Sequence, residues 1–167
     1  MVSLRPYTAD DVAFARAHLY GPDAGGLQWF GHSSPRLQAD FEANGFLTAD
    51  GGRLIVDEGG EPVGSVQWFK DSWGPPQTSW CWEIGIVLRA DARGRGLGTQ
   101  AQVLLRDYLF AHTQAQRIQA STDVENLAEQ RALEKAGFLR EGRLRSAQWR
   151  AGTWHDQLLY ANVRVDH

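Results

Sequence analysis

The chain contains one cysteine, Cys81, among its 167 residues. An internal disulfide is therefore excluded, as is a cysteine-rich zinc module, and a reducing compartment is the natural setting. There is no basic excess either: 17 Lys and Arg stand against 20 Asp and Glu, a formal net charge of −3. A sequence-independent nucleic-acid binder carries the opposite balance, so no nucleic-acid partner is expected. No run approaches the roughly 18 apolar residues of a membrane span, and residues 1–6 lack the apolar core of a signal peptide. No membrane association is expected, and the expected location is the cytoplasm. The five histidines show no metal-ligand spacing such as His-x-x-x-His, so no metal is expected. Repeats, low-complexity tracts and long linkers are also missing, and residues 1–167 read as a single domain.

What is present is ordinary globular composition, 43% hydrophobic and 22% charged, with two excesses: 18 glycines and 7 tryptophans. Leu4-Arg5-Pro6 reads as an opening strand. Thr8 caps a helix over residues 9–20, with Asp10 and Asp11 in the first turn, where the dipole favours anions. Residues 21–26 are a break. Ser34-Pro35 opens a second helix that stops near Asn44-Gly45. Residues 53–57 and 62–69 read as a hairpin around Glu58-Gly59-Gly60-Glu61. Trp73-Gly74-Pro75-Pro76 is a loop, because two prolines cannot sit in a strand ladder. A strong strand over 79–88 leads into a glycine-rich turn and a helix over 99–112. A strand over 117–121 and a helix over 125–136 follow. Two closing strands, 139–149 and 154–163, meet at Ala151-Gly152. An antiparallel meander followed by βα crossovers predicts a mixed sheet with helices on its faces.

The most informative segment is Arg93-Gly94-Arg95-Gly96-Leu97-Gly98-Thr99. It follows a strand and opens a helix. Glycines there let the backbone approach a ligand, and the helix start offers unpaired N–H groups with partial positive charge. Arg93 and Arg95 add two cations, and the segment reads as a pyrophosphate cradle. The plain alternative is a glycine-rich loop with solvated arginines. A Walker loop is excluded because Gly98 is followed by Thr99 with no lysine. A dinucleotide fingerprint is excluded by the glycine spacing and by the mid-chain position.

Here the chain resembles the GCN5-related N-acetyltransferases (GNAT). Arg93-x-x-Gly96-x-Gly98 matches their Arg/Gln-x-x-Gly-x-Gly/Ala signature. Asn126-Leu127-Ala128 followed by Leu133-Glu134-Lys135-Ala136-Gly137-Phe138 is similar to their downstream helix. Trp82-Glu83-Ile84-Gly85-Ile86-Val87-Leu88 looks like the strand before the loop. Gly152-Thr153-Trp154-His155-Asp156 resembles the late hairpin of the ribosomal-protein (RimJ/RimL-like) branch. The resemblance spans residues 4–163 and is most specific over 83–138. It implies an α/β fold of mixed α+β type: a central twisted mixed sheet of about seven strands with helices on both faces. It also implies acetyl-CoA as co-substrate and a primary amine as acceptor. The acceptor would be an amine-bearing small molecule or a peptide or protein N-terminus.

On this resemblance the loop residues Arg93, Gly94, Arg95, Gly96, Leu97, Gly98 and Thr99 would cradle the coenzyme pyrophosphate. The pantetheine arm would pair with Ile86 and Leu88 in an opening between the 79–88 and 117–121 strands. Asn126 matches a coenzyme contact. Glu129, a coenzyme-side candidate, stands where many members of this branch carry a serine that reaches the thiolate. A carboxylate there would oppose thiolate formation unless protonated or turned away, and it could instead reach the substrate amine or be a plain surface residue of the helix. A lysine-like amine, with a pKa near 10.4, must lose a proton before it attacks. Glu83, a lone carboxylate in an apolar strand, is the candidate base, acting through water. It could instead solvate the strand or bind the substrate cation. The backbone N–H of Val87 is the candidate oxyanion donor. Tyr108 reads as core, Tyr160 lies in the last strand, and neither fills the place of a general acid.

Cys81 reads as a small core residue rather than an acyl carrier. Trp29, Trp68 and Trp82 are candidate walls of an aromatic acceptor pocket, against ordinary packing. Asp71 and Asp123 would add negative charge near it, and exposed tryptophans would suit a homodimer. The competing functions are an acyl-CoA-binding sensor without turnover and a transferase for another acyl group.

Overall fold

A computed structural model describes residues 1–22, 27, 29–32 and 34–166. Glycine and polar breaks divide the chain much as its sequence suggests. Strand β1 spans Val2–Arg5, followed by helix α1, Ala9–His18, and helix α2, Leu37–Asn44. Strands β2, Leu47–Thr48, β3, Gly51–Glu58, β4, Glu61–Ser72, and β5, Trp80–Leu88, come next. Then follow α3, Leu97–His112, β6, Arg117–Asp123, and α4, Leu127–Lys135, before β7, Leu139–Arg150, and β8, Thr153–Val163. The strands form one sheet in the order β1-β3-β4-β5-β6-β8-β7, with β2 added to β3. β5 and β6 pair in parallel, and the other neighbours are antiparallel.

Alternation along the strands gives the sheet two buried faces. On one, Val56, Val66, Trp68, Trp82 and Ile84 pack with Ala101, Leu105 and Leu109 of α3 and Leu133 of α4. On the other, Ile55 packs with Val12 and Ala15 of α1, Leu37 of α2, Tyr7 and Phe46. This is the expected mixed sheet with helices on both faces. Among the described residues no helix is long and apolar enough to cross a membrane.

Several element ends differ from the sequence expectation. α1 stops at His18, where Leu19 N–H closes on the Ala15 carbonyl. Pro35 lies in a turn, and α2 starts only at Leu37. Strand β3 reaches back to Gly51, two residues beyond the predicted start. A Cβ at Gly52 would meet the Trp68 ring at 2.5 Å, so glycine there lets the indole lie over the strand. Helix α3 begins at Leu97 because Gly96 takes the left-handed N-cap, φ +80°, and accepts the Gln100 N–H at its carbonyl.

Candidate active site

The site begins where two strands part. β5 and β6 share only the register pairs Trp82↔Ile118 and Glu83↔Gln119. Beyond them β5 runs on to Leu88 beside β4 and β6 to Asp123 beside β8, with no register pair joining β5 to β6. The register of β4 with β5 is continuous from Gly64↔Leu88 to Ser72↔Trp80. The Arg89 N–H donates to the Val63 carbonyl at 2.9 Å, which marks that pair as hydrogen-bonded. Pairs alternate in an antiparallel ladder, so Glu83, Gly85 and Val87 turn their amides towards β4. Ile84, Ile86 and Leu88 turn theirs towards the opening. The expected oxyanion donor is thereby corrected: Val87 N–H faces Ser65 of β4, and the amide aimed into the opening is that of Ile86.

Side chains alternate in the opposite sense, so Glu83, Gly85 and Val87 line a cleft of about 440 Å³ on the α1 face of the sheet. A second cleft, about 560 Å³, lies on the α3 and α4 side. The two share Leu27, Ile86, Val87 and Asn126, and so meet at the opening between β5 and β6.

In the first cleft Glu83 Oε1 accepts a 3.0 Å hydrogen bond from Ser121 Oγ. Burial lifts the Glu83 carboxyl above its usual range, against hydrogen bonds from Gln119 and Ser121 and with help from the charge of Asp71. Behind it, Trp73 Nε1 and Arg117 Nε both donate to Gln119 Oε1, at 2.8 and 2.9 Å, and Gln119 Nε2 donates to Asp71 Oδ2 at 3.1 Å. This chain fixes the floor next to the carboxylate. Cys81 is buried beneath, and burial, with the Asp71 charge, pushes its thiol up to about 11. Such a thiol stays protonated and unreactive at neutral pH.

The second cleft is lined by Arg93, Gly94, Gly96, Gly98 and Thr99 of the glycine loop. Gly94 and Gly96 have φ of +72° and +80°, and a Cβ at either would meet nothing within 4 Å. The loop is thus shaped by left-handed backbone that glycine adopts without strain, and it faces open space at the start of a 16-residue helix. That is a fit for a pyrophosphate. Two loop residues depart from the expected cradle. Arg95 pairs with Glu58 Oε1 at 3.0 Å, and Leu97 turns its side chain into the core. Arg93 Nε donates to the Leu88 carbonyl at 3.0 Å, tying the loop to the end of β5. Arg131 and Lys135 of α4 add cations that sequence reading did not single out.

Asn126 is the N-cap of α4, and its Oδ1 accepts the Glu129 N–H at 3.3 Å. Glu129 lines the coenzyme-side cleft and takes a 2.6 Å hydrogen bond from Gln102 Nε2. Tyr160 is buried with its hydroxyl on Glu134 Oε1 at 3.2 Å. Tyr108, expected in the core, is exposed and sets its ring edge-on to Trp68, centroids 5.9 Å apart.

The tryptophan wall is not where composition suggested. Trp68 and Trp82 are 6% and 3% exposed and belong to the core on the α3 face, opposite Glu83. Trp82 Nε1 donates to Thr113 Oγ1 at 3.0 Å. Trp29 is half-buried, and its neighbours Leu27 and Phe30 line the cleft instead. The aromatic residues at the cleft are Tyr20, Phe30 and Phe69, which no excess in the sequence announced. Trp149 and Trp154 form an exposed edge-on pair at the β7–β8 hairpin.

Asp123, expected to add negative charge, is instead ion-paired with Arg150, both buried. His155 Nδ1 lies 3.2 Å from the same Asp123 oxygen. Arg150 also donates to the carbonyl of Leu27, a residue that lines both clefts, at 2.6 Å. Asp123, Glu125 and His155 place ligand atoms within 4.8 Å of one another, a grouping that their spacing in the sequence hides. The Arg150 guanidinium already occupies the Asp123 oxygen they share.

Known proteins resemble this chain over most of its length. Residues 2–139 match the family model described as an acetyltransferase (GNAT) domain. A probable N-acetyltransferase of Bacillus subtilis, YjcK, is 36% identical over 132 residues, 78% of this chain and 67% of the relative. Aminoglycoside acetyltransferase AAC(6')-Ib in complex with coenzyme A and kanamycin superposes with a TM-score of 0.76 at 24% identity, covering 99% of this chain and 96% of that one. Mycobacterium smegmatis RimJ in complex with CoA-disulfide gives 0.75 at 22% identity, over 99% and 83% of the two chains. These likenesses cover most of the chain, and the chain belongs to the GNAT family of N-acetyltransferases.

Proposed function

We propose that the chain moves an acetyl group from acetyl-CoA to a primary amine by direct attack within a ternary complex. The observation that carries this reading is the meeting of two clefts at Ile86, Val87 and Asn126, with a half-buried carboxylate on one side and a glycine-rich helix start on the other. Acetyl-CoA supplies the acyl group as a thioester. Gly94, Gly96, Gly98, Thr99 and Arg93 hold its pyrophosphate, and the outward Ile86 carbonyl and Leu88 amide pair with its pantetheine arm. The Ile86 amide, aimed into the opening, stabilises the oxyanion that forms on attack. Glu83, fixed by Ser121, takes the amine proton through water. Its lifted pKa brings it nearer to working pH, as a general base needs.

The acceptor cleft combines Tyr20, Phe30 and Phe69 with hydroxyl and amide groups of Ser65, Gln67 and Gln157. That lining suits a small amine or a peptide N-terminus that carries hydrogen-bonding groups beside an apolar one. The amine of a small molecule such as the aminoglycoside bound by AAC(6')-Ib is one example of the class. The test is coenzyme A release with a panel of amines. Turnover with at least one amine, abolished by Glu83→Gln while acetyl-CoA still binds, supports the reading. Thermal stabilisation by acetyl-CoA with no release for any amine would replace it with a binding module.

A further inference from the structure

Glu129 is a carboxyl that the acceptor-side chemistry leaves unused. It lies in the coenzyme-side cleft, away from Glu83, and its side chain accepts a hydrogen bond from Gln102 Nε2 at 2.6 Å. Gln102 is 1% exposed, and among the described residues its own Oε1 has no hydrogen-bond partner. An amide so placed can serve either state of its neighbour. It donates through Nε2 to a carboxylate, and turned over it accepts the O–H of a carboxylic acid at Oε1.

The surroundings favour the acid. Burial pushes the Glu129 carboxyl up to about 7, against the single hydrogen bond from Gln102. The cations on the packed elements are Arg131 and Lys135 of α4, Arg93 of the glycine loop and Arg106 of α3, and none of them offsets that burial. Arg106 is engaged with Asp107 and the Ala136 carbonyl. Of the nearby acids, Asp123 is held by Arg150, and Glu134 accepts from Tyr160. The facing part of β5, Ile86 and Leu88, is apolar.

We propose that Glu129 is the general acid of the transfer, giving its proton to the departing coenzyme thiolate. This rests on the acetyltransferase reading above. The reacting carbonyl must lie where the two clefts meet, because the amine comes from the Glu83 side and the thiol leaves on the other. Asn126 lines both clefts, and Glu129 is one turn along α4 with its N–H on the Asn126 side chain. The departing sulfur is therefore on the side of Glu129. As the N–C bond forms and the C–S bond breaks, the electron pair of C–S goes to sulfur. The Glu129 O–H proton follows it, and the proton that the nitrogen sheds on becoming an amide goes to Glu83, the ammonium proton having already passed through Glu83 to solvent before attack. Glu83 then loses one proton to solvent and Glu129 regains one, so no further reactant is required. Two carboxyls on opposite sides of the seam thus take opposite parts, one as base and one as acid.

The test is Glu129→Gln, nearly the same shape, assayed for kcat at saturating amine from about pH 5 to about pH 9, where the expected loss is at least about tenfold. Wild-type kcat should fall as pH rises through about 7, and that alkaline limb should vanish in the variant. Acetyl-CoA affinity by calorimetry should stay within about threefold, since Glu129 acts on the transition state rather than on binding. Gln102→Leu should move the limb to higher pH, because the hydrogen bond it removes lowers the acid's pKa. A Glu129→Gln enzyme with kcat within about twofold of wild type and the same alkaline limb would overturn the proposal. Infrared difference spectra of the wild type, which need no acceptor, give a second arm. A Glu129 carboxyl already ionised at about pH 5 would overturn it too. A wild type that turns over no amine would defeat the transferase reading instead, and the two failures are separable.

Discussion

Ser121 Oγ donates to Glu83 Oε1 at 3.0 Å just past the last register pair that joins β5 to β6. The hydrogen bond sits at the vertex of the opening, so the carboxylate is held where it lines the first cleft.

Glu83→Gln keeps the shape and removes the proposed base. A positioned base contributes typically about 10²–10⁴-fold, so kcat should fall in that range while acetyl-CoA affinity is unchanged. Only the ionised form accepts a proton, and burial raises the pKa, so wild-type activity should climb with pH through a value above the ordinary carboxyl range. The same shift means that the folded state bears a penalty for the charge at neutral pH. Glu83→Gln should therefore melt at a higher temperature than wild type, with lower activity. A variant that is slower and also less stable would show that the carboxylate is structural.

Gly96→Val tests the cradle. At φ +80° a β-branched residue is strained, and the left-handed region costs an ordinary L-residue about 1–2 kcal/mol. No protein atom lies within 4 Å of the new Cβ, so the fold should survive. The added methyl groups project into the space meant for pyrophosphate. Calorimetry should show acetyl-CoA affinity reduced by more than the stability change alone accounts for, a factor of at least about ten, or 1.4 kcal/mol. Unchanged affinity would place the pyrophosphate elsewhere.

What the sequence made legible follows from how far each signal reaches along the chain. Local signals carried well: the glycine loop between a strand and a helix, and Glu83 as a lone carboxylate in an apolar run. Facing and register did not. Trp68 and Trp82 were easy to count but not to orient, and alternation put both on the α3 face. Val87 was a reasonable oxyanion donor until the ladder with β4 turned its amide away, leaving Ile86 aimed into the opening. Asp123 and Arg150 are 27 positions apart, and no local pattern marks a pair brought together by β6 and the β7–β8 hairpin. Arg95 looked like half of the cradle, but its partner Glu58 comes from a different strand.

Cys81 separates two kinds of transfer. Direct attack needs no enzyme nucleophile, whereas an acyl-cysteine route requires a thiolate. The buried thiol, held at about 11, supplies almost none at neutral pH. Cys81→Ala should keep kcat within about threefold, and iodoacetamide should fail to label the native wild type. Loss of turnover in a folded Cys81→Ala variant, with rapid labelling of the wild type, would point to a covalent intermediate.

Stability should carry the mark of Glu129. Its carboxyl titrates at about 7 in the fold, against about 4.3 in an unfolded chain. Between those values the folded state keeps a proton that the unfolded state has lost, so wild-type stability should fall as pH rises from about 4.3 to about 7 and then level off. Glu129→Gln lacks this slope. Its stabilisation over wild type should be near zero at about pH 4 and reach about 2 kcal/mol at about pH 8, allowing for partial exposure. Urea unfolding of both proteins at the two pH values gives the difference directly.

The buried pair of Asp123 and Arg150 joins stability to acceptor binding. Their residues are 4% and 5% exposed, so removing one partner strands the other's charge. Asp123→Asn should lower stability by about 3–5 kcal/mol, roughly 10 °C in melting temperature for a chain of this size. Replacing both, as Asp123→Asn with Arg150→Met, removes the stranded charge and should recover most of that loss. It does not restore the 2.6 Å hydrogen bond from Arg150 to the Leu27 carbonyl. Leu27 lines both clefts, so the double variant should fold nearly as well as wild type yet show a raised KM for the amine. If KM returns to the wild-type value along with stability, the Arg150 guanidinium serves the fold alone and the segment at Leu27 is positioned by other contacts.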